Sequence, residues 1–309
     1  MDTKYVIKKI FKYLLFLGLV ILAVFLLSLK NNKLPTYNAQ KSVGKQADFT
    51  ITGIEAGAGT MSNAQKAIST YHLNKNGWQL QTSSTAIMLA QLDKAIKSHQ
   101  PIVIIGWVPH WMFEKYPIKF LNDPKKVFGN SEHEDTITKK GFAKQNPGAQ
   151  QFLKNFSLTL KKVQPVLNNI NNGQSPKAAA SQYIKDNPKQ VKGWLKGVPD
   201  GHGKQISIGR ENYAYETFAA YVAEKILRSK GYKVSDKGLD PGILWSALAS
   251  GSIDACVTAE LPVTQAAYAK KYQGQYNKVK TSLNNARVGL AVPKYMKNIN
   301  SINDLKNSN

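Results

Sequence analysis

The chain has 309 residues, of which 42% are hydrophobic, so it can bury a substantial core, is long enough for two lobes and is not disordered. Its single cysteine, Cys256, excludes an internal disulfide and a zinc site of four cysteines, and its apolar neighbours predict a buried packing residue. The formal net charge of +23 raises nucleic acid as a partner, but the lysines are scattered and no nucleic-acid-binding module is recognisable. The charge therefore favours a basic surface near anionic lipid or cell wall.

The first predicted element is a membrane anchor. Four lysines precede seventeen uncharged residues, Tyr13 to Leu29, which just reach across a bilayer core at about 1.5 Å per residue. A cleaved secretory signal is the alternative, but the segment is long for a signal core and lacks an A-x-A cleavage pattern. We therefore expect a short cytoplasmic tail at 1–12, a signal anchor at 13–29 and a flexible tether at 30–47.

Strands and helices are predicted to alternate after the tether. The first strand, Phe49 to Ile54, leads through a glycine-rich turn into a helix from Ser62 to Ile68, and such a turn can hold an anion, although many occur without a ligand. The later predicted strands are 78–80, 102–105, 135–141, 205–209, 231–234, 253–258 and 288–292, and the helices are 85–98, 149–168, 176–186, 188–195, 214–229, 242–250 and 261–272. This alternation predicts an α/β fold of parallel sheets with helices on both faces.

The most distinctive stretch runs from Pro101 to Met112. Four β-branched residues lead into Gly106 and Trp107, which predicts a buried strand, a tight turn at the glycine and an indole just past the end of the strand. Open α/β sheets bind ligands at the carboxyl ends of their strands. The stretch therefore predicts an aromatic-lined site, in which His110 packs or hydrogen-bonds and does not catalyse.

Signals for catalysis or metal binding are weak. The run from Glu132 to Asp135 lacks the histidine pair of a helical zinc site, and we interpret it as a solvated acidic loop. The segment from Gly197 to Lys204 lacks the Ser or Thr of a phosphate-binding loop, and no serine lies in a G-x-S-x-G pattern. We therefore expect neither an enzyme nor a metal or cofactor site.

Three segments resemble those of a known family: IEAGAGTMS, GWVPHWMFEKYPIKFLNDPK and VGLAVPKYM. They are similar to the extracytoplasmic glycine betaine-binding proteins of ABC importers, and the resemblance covers about residues 48 to 309. It implies a two-lobed periplasmic-binding-protein fold of type II with a circularly permuted lobe order. One lobe would comprise 48–135 plus 288–309 and the other 136–287, with two chain crossings as a hinge and the ligand in the cleft between the lobes.

The resemblance also implies the ligand-binding residues. Family members hold the quaternary ammonium group in a cage of three tryptophans, and they hold the ligand carboxylate with backbone amides and a histidine. The corresponding positions here are Trp107, Tyr213 and Glu260 for the cage, Gly59 and Thr60 for the amides, and Gln265 for the histidine, with His110 beside Trp107.

Two of these positions depart from the family pattern. Glu260 places a negative charge where the family has a π-face, and Gln265 removes a group that could carry positive charge against a ligand carboxylate. Both changes favour a more cationic or N–H-bearing amine, because a trimethylammonium group cannot donate to a buried carboxylate. Two alternatives stay open: glycine betaine still binds, more weakly, or Glu260 pairs with Arg210 or a lysine and leaves the site.

The implied role is to capture glycine betaine, or a related quaternary ammonium or amine compatible solute, as a monomer on the extracellular face of the cell membrane. Its partners would be an ABC permease and a cytoplasmic ATPase, and no nucleic acid is expected. Two other classes of protein remain possible. A sensor domain is disfavoured by the twelve-residue cytoplasmic tail, and a degenerate surface protein would bind no small ligand.

Overall fold

The computed structural model describes residues 35–306, so the predicted anchor at 13–29 lies outside the described residues. Within 35–306, no helix combines the length and the apolar character that a membrane crossing requires. The compact unit that contains all the elements below begins at Asn38. The last part of the predicted tether is folded rather than flexible, because residues 43–46 form a helix whose Val43 is buried.

The helices of the described residues are α1 Val43–Gln46, α2 Gly59–Thr70, α3 Thr85–Ser98, α4 Met112–Lys115, α5 Phe142–Gln145, α6 Pro147–Asn155, α7 Leu160–Asn171, α8 Pro176–Asp186, α9 Pro188–Trp194, α10 Ala214–Ser229, α11 Pro241–Ser250 and α12 Ala266–Lys271. The strands are β1 Thr50–Thr52, β2 Gln79–Gln81, β3 Val103–Val108, β4 Ile118–Phe120, β5 Glu132–Lys139, β6 Gln205–Arg210, β7 Lys233–Gly238, β8 Ala255–Leu261 and β9 Tyr276–Pro293. Two short 3₁₀ helices cover Leu73–Asn76 and Ile302–Lys306.

The strands form one mixed sheet in the order β2-β1-β3-β9-β5-β8-β6-β7, with β4 also paired to β9. The first half-sheet comprises β1 to β4 and the part of β9 from Arg287 onward. The second half-sheet comprises β5 to β8 and the part of β9 up to Ala286. The two half-sheets therefore share a single strand, which changes its partner from β5 to β3 between those two residues.

The prediction of purely parallel sheets is wrong. Strand β9 runs antiparallel to β3 and β5, and β5 runs antiparallel to β8. The predicted last strand, 288–292, is only the apolar end of β9. Its first part is polar and half-exposed, so its hydrophobic pattern is weak although it pairs along its length with β5.

Two predicted helices differ from those observed. The helix predicted at 149–168 is divided into α6 and α7, because the chain between them extends and buries both Phe156 and Leu158 in the core. The backbone N–H of Leu158 donates to the carbonyl of Ser282 in β9 at 2.7 Å, which holds this extended segment against the sheet. The helix predicted at 261–272 begins only at Ala266, because Leu261 ends β8.

The turn predicted at Gly106 is also wrong. Gly106 and Trp107 both lie inside β3, where they pair with Gly289 and Val288 of β9. A Cβ atom at Gly106 would lie 3.0 Å from the side chains of Ala291 and Phe113, so the glycine provides packing space for its neighbours rather than a bend.

Helices cover both faces of the second half-sheet. Ala255 and Val257 of β8 belong to a core with α6 to α10, whereas Cys256 belongs to a smaller core around Trp245 of α11. Cys256 is buried, as predicted, and burial raises the pKa of its thiol to about 12, so the thiol is unreactive.

Candidate functional site

A cavity of about 630 Å³ lies between the two half-sheets. Its first wall comes from the segment before α2, the start of α3 and the turn after β3: Glu55, Gly57, Ala58, Thr85, Ala86, Leu89, His110 and Trp111. Its second wall comes from the segment after β6 and the start of α11: Glu211, Asn212, Tyr213, Ala214, Leu239, Asp240 and Pro241. Both walls follow the carboxyl ends of strands, where α/β sheets commonly bind ligands.

Two of the predicted aromatic residues meet at this cavity. The rings of Trp107 and Tyr213 have centroids 5.9 Å apart and planes tilted by 59°, so they form a corner and not a stacked pair. Tyr213 lines the cavity, whereas Trp107 is buried in β3 and packs behind it. The ring of Tyr213 is therefore within reach of a cation in the cavity, and Trp107 packs against that ring from behind.

His110 packs edge-on against Trp107, with ring centroids 4.5 Å apart. Its Nδ1 accepts a hydrogen bond from the backbone N–H of Met112 at 3.1 Å, so the ring proton lies on Nε2. Burial lowers the pKa of His110 to about 3, and the imidazole is neutral at physiological pH. His110 thus packs and hydrogen-bonds as predicted, and it brings no positive charge to the first wall.

The start of α2 can attract an anion. Gly59 and Thr60 are its first two residues, and within 35–306 neither backbone N–H is paired with an acceptor. The hydroxyl of Thr60 is also buried without a partner. A Cβ atom at Gly59 would clash with the carbonyl oxygen of Thr264, so the half-sheets come into contact here. Gly59 and Thr60 themselves lie just beyond Gly57 and Ala58, which line the cavity.

Gln265 is buried in a hydrogen-bonded network behind the second wall. Its Nε2 donates to Glu211 Oε1 at 3.0 Å and to Glu260 Oε2 at 3.5 Å, and its Oε1 accepts from Trp245 Nε1 at 2.8 Å. The amide therefore connects the cavity-lining Glu211 to Glu260, which does not itself line the cavity.

The alternative that Arg210 pairs with Glu260 is wrong. The guanidinium of Arg210 donates to both carboxylate oxygens of Asp236 at 2.8 to 3.1 Å, and to Asn212 and Thr217 at 3.0 Å. Its donors are thus used beside β7, and burial together with neighbouring carboxylates raises the pKa of Glu260 well above its usual value.

The interpretation of the run from Glu132 to Asp135 as a solvated loop is wrong. These residues begin β5, and Glu132, Glu134 and Asp135 are all buried. The carboxylate of Glu132 accepts hydrogen bonds from Val263 and Thr264, and Asp135 pairs with Lys278 at 2.6 Å. The burial depends on pairing with β8 and β9, which are far away in the sequence and gave no local signal.

The prediction from the sequence also missed three carboxylates that line the cavity: Glu55, Glu211 and Asp240. Glu55 accepts from the backbone and hydroxyl of Thr85 at 2.9 and 2.8 Å, and from the Tyr213 hydroxyl across the cavity at 3.5 Å. Burial, assisted by the charge of Glu216, raises the pKa of Glu211 to about 8. The sequence did contain a signal for Glu211. It lies just past the predicted strand 205–209, which is the same kind of position from which Trp107 was predicted to line a site.

The cavity is therefore acidic in a strongly basic protein. Among the residues that line it, all within the described range, there is no lysine or arginine, although the chain carries a net charge of +23. Such a lining favours a ligand with a positively charged group.

Comparisons with known proteins point to one family. A family model described as the substrate-binding domain of ABC-type glycine betaine transport systems matches residues 29–186 and 204–309. The glycine betaine/carnitine transport binding protein GbuC of Listeria monocytogenes is 42% identical over 297 residues, which cover 96% of this chain and 99% of that protein.

Solved structures are similar over shorter ranges. Lactococcal OpuAC in its closed form with glycine betaine is 44% identical with a TM-score of 0.47, over 52% of this chain and 62% of that one. An ABC-transporter choline-binding protein in complex with choline is 27% identical with a TM-score of 0.45, over 59% and 61%. The chain thus spans less than two thirds of each of these solved chains.

Proposed function

Because this chain belongs to the family of substrate-binding domains of ABC-type glycine betaine transport systems, we propose that it captures a small quaternary ammonium or amine solute and delivers it to an ABC permease. The feature that carries the proposal is the acidic cavity with Tyr213 in its wall and Trp107 behind it. A cation held against an aromatic face gains about 0.5 to 2 kcal/mol, depending on desolvation. The family is one of binding proteins, and catalysis is not part of this function.

In this proposal the two half-sheets belong to two lobes in the circularly permuted order. The change of partner in β9 between Ala286 and Arg287 supports a boundary close to the one predicted at 287/288. Strand β5 pairs with β8 and β9 of the second half-sheet, which supports placing the other crossing before Glu132 rather than at 135/136. The cavity would then be the cleft that closes over the ligand.

The ligand would lie with its two ends on different walls. Its positive group faces Tyr213 and the acidic second wall, and a carboxylate, if the ligand has one, faces the start of α2 with Gly59 and Thr60. Glu260 and Gln265 would act from behind the wall, through Glu211, rather than by direct contact.

Glycine betaine and a more cationic amine both fit this arrangement, and the pH distinguishes them. With a pKa of about 8, Glu211 is largely protonated at pH 7, so the second wall then carries less of the negative charge that would repel the carboxylate of a zwitterion from across the cavity. Above pH 8 an ionised Glu211 favours a pure cation or an N–H donor. The three cavity carboxylates are the specific observation that favours the cationic ligand.

The proposed partners and location follow from the family. The protein would work as a monomer on the extracellular face of the membrane, with a separate permease and a cytoplasmic ATPase. The predicted anchor at 13–29 would keep it there, and that segment lies outside the described residues.

Calorimetric titration with glycine betaine, carnitine and choline tests the proposal. We expect at least one of them to bind, and we expect Tyr213→Ala to weaken that binding about two- to thirtyfold through loss of the ring. Tyr213→Phe is the matched control, since it keeps the ring and removes only the hydroxyl that reaches Glu55. Absence of binding by the whole panel at millimolar concentration, or full affinity in Tyr213→Ala, would contradict the proposal.

A further inference from the structure

Three glutamates from separate elements converge behind the second wall. They are Glu134 of β5, Glu216 of α10 and Glu260 of β8, and we call them the acidic cluster. One carboxylate oxygen from each lies within 4.8 Å of the others. Glu134 and Glu260 are direct cross-strand partners in the β5–β8 pairing, so the sheet itself brings two of the three together.

The cluster contains polar atoms that have no partner. Glu134 and Glu216 are each only 1% exposed, and within residues 35–306 one oxygen of each carboxyl group has no hydrogen-bond donor. The hydroxyl of Tyr215, which lies near enough to interact with the charges of Glu134 and Glu216, is also buried without a partner. Buried polar atoms are normally satisfied, so this concentration of unsatisfied oxygens points to an occupant.

No basic side chain of the described residues forms an ion pair with the cluster. The ion pairs of the second half-sheet involve other carboxylates. Burial raises the pKa of Glu216, and the charge of Arg210 offsets this only in part, because Arg210 is itself paired with Asp236. Three carboxylates this close cannot all be ionised without a counter-charge, because like charges in a buried site repel strongly. Either protons or a cation must neutralise them.

The spacing suits an inorganic cation with long bonds to oxygen. Calcium binds oxygen at about 2.3 to 2.6 Å, so two of its ligands can be up to about 5 Å apart, and the cluster oxygens all lie within 4.8 Å of one another. Magnesium binds at about 2.0 to 2.1 Å, which limits its ligands to about 4.2 Å apart, so calcium accommodates the full 4.8 Å range whereas magnesium accommodates only part of it. Carboxylate oxygens are the ligands that both hard cations prefer.

We propose that Glu134, Glu216 and Glu260 form a binding site for a divalent cation of the calcium type. The ion neutralises the cluster and holds β5, β8 and the first turn of α10 together. The site is separate from the ligand cavity, and its existence does not rest on the proposed transport function. Gln265 nevertheless connects the two, since its Nε2 donates to both Glu260 and the cavity-lining Glu211.

The experiment is a calorimetric titration of the chelator-treated protein with CaCl₂, MgCl₂ and MnCl₂, without any organic ligand. We expect one calcium ion per chain, bound at least tenfold more tightly than magnesium, and an increase in the thermal unfolding temperature with calcium. Glu216→Gln and Glu260→Gln should each weaken calcium binding at least tenfold. Glu224→Gln is the control on the same helix, because Glu224 pairs with Arg228 away from the cluster and should leave calcium binding unchanged.

The calcium titration of the wild-type protein tests the proposed site even if a variant of the acidic cluster fails to fold. Absence of calcium binding at millimolar concentration would show that protons alone neutralise the cluster, and it would overturn the proposal. Calcium binding that Glu216→Gln and Glu260→Gln leave unchanged would place the ion elsewhere and would overturn it equally.

Discussion

The two walls of the cavity differ in how they are built. The first wall presents a neutral His110 and, as its only carboxylate, Glu55, which is exposed and hydrogen-bonded to Thr85. The backbone N–H groups at the start of α2, unpaired within the described residues, lie just beyond it. The second wall presents Glu211 and Asp240, and the acidic cluster lies behind it. The first wall is therefore suited to the anionic end of a ligand and the second wall to its cationic end.

This difference also indicates where specificity lies. The first wall retains the segments that resemble the family, IEAGAGTMS and GWVPHWM, whereas the departures that the resemblance implies, Glu260 and Gln265, lie behind the second wall. A change of ligand class within the family would thus be encoded mainly in the second half-sheet. The three predictions below test this division, and they begin with the largest expected effect.

The largest effect is expected for Glu211→Gln. This substitution should alter the way in which the free energy of unfolding depends on pH, and it should do so more strongly than a substitution in the first wall. The pKa of Glu211 is raised from 4.5 to about 8 in the folded chain, so the unfolded state ionises first and the free energy of unfolding falls as pH rises from about 4.5 to 8. At about 1.4 kcal/mol per pKa unit, Glu211→Gln should be up to about 5 kcal/mol more stable than the wild type at pH 8, and nearly equal to it at pH 4.5.

Urea unfolding at pH 4.5, 6 and 8 measures this effect. The Gln side chain still offers an oxygen to Gln265, so the network is preserved. Glu114→Gln, at an exposed position of α4, is the matched control and should not alter the slope. If the free energies of unfolding of Glu211→Gln and the wild type differ by the same amount at all three pH values, the pKa of Glu211 is not raised in the folded chain and the prediction is wrong.

Replacing Gly59 by Ala tests whether the first wall works by close contact. The added methyl group would clash with the carbonyl oxygen of Thr264, and the backbone shifts needed to remove such a clash cost about 1 to 3 kcal/mol. We expect glycine betaine affinity to fall about 10- to 100-fold, because the walls can no longer approach. Gly57→Ala is the control in the same turn, since a Cβ there meets no atom within 4 Å. Equal calorimetric affinities for the two variants would contradict this contact.

The smallest effect is expected for Glu55→Gln. Glu55 is exposed, and an exposed charge contributes about 0.2 to 1 kcal/mol, so choline affinity should fall by no more than about fivefold. The loss should shrink at high ionic strength, because salt screens exposed charges. A larger or salt-independent loss would show that the first wall shares the electrostatic role that we assign to the second.

Local signals were sufficient for several elements. The helices at 85–98, 176–186 and 214–229 have the bounds that were predicted. Two of them follow a serine whose side chain accepts from the backbone N–H three residues later, Ser84 from Ile87 and Ser175 from Ala178. Where apolar spacing and a capping residue agree, the sequence alone determines the helix.

Long-range pairing was not predictable in the same way. The polar first part of β9 and the burial of Glu132 and Glu134 depend on strands far away along the chain. The same holds for the site, since the resemblance supplied Trp107, Tyr213 and Glu260, whereas the approach of Glu134 and Glu216 to Glu260 emerges only once β5, β8 and α10 are packed together. Carboxylates in a short acidic run are usually solvated, and only the tertiary structure reverses that expectation.

The strand that both half-sheets share has a mechanical consequence. Because β9 is hydrogen-bonded to β5 before Ala286 and to β3 after it, neither half can slide along the other without breaking a ladder of backbone bonds. In the proposed transport cycle, opening and closing would therefore pivot about this continuous backbone, and the two halves would stay in register.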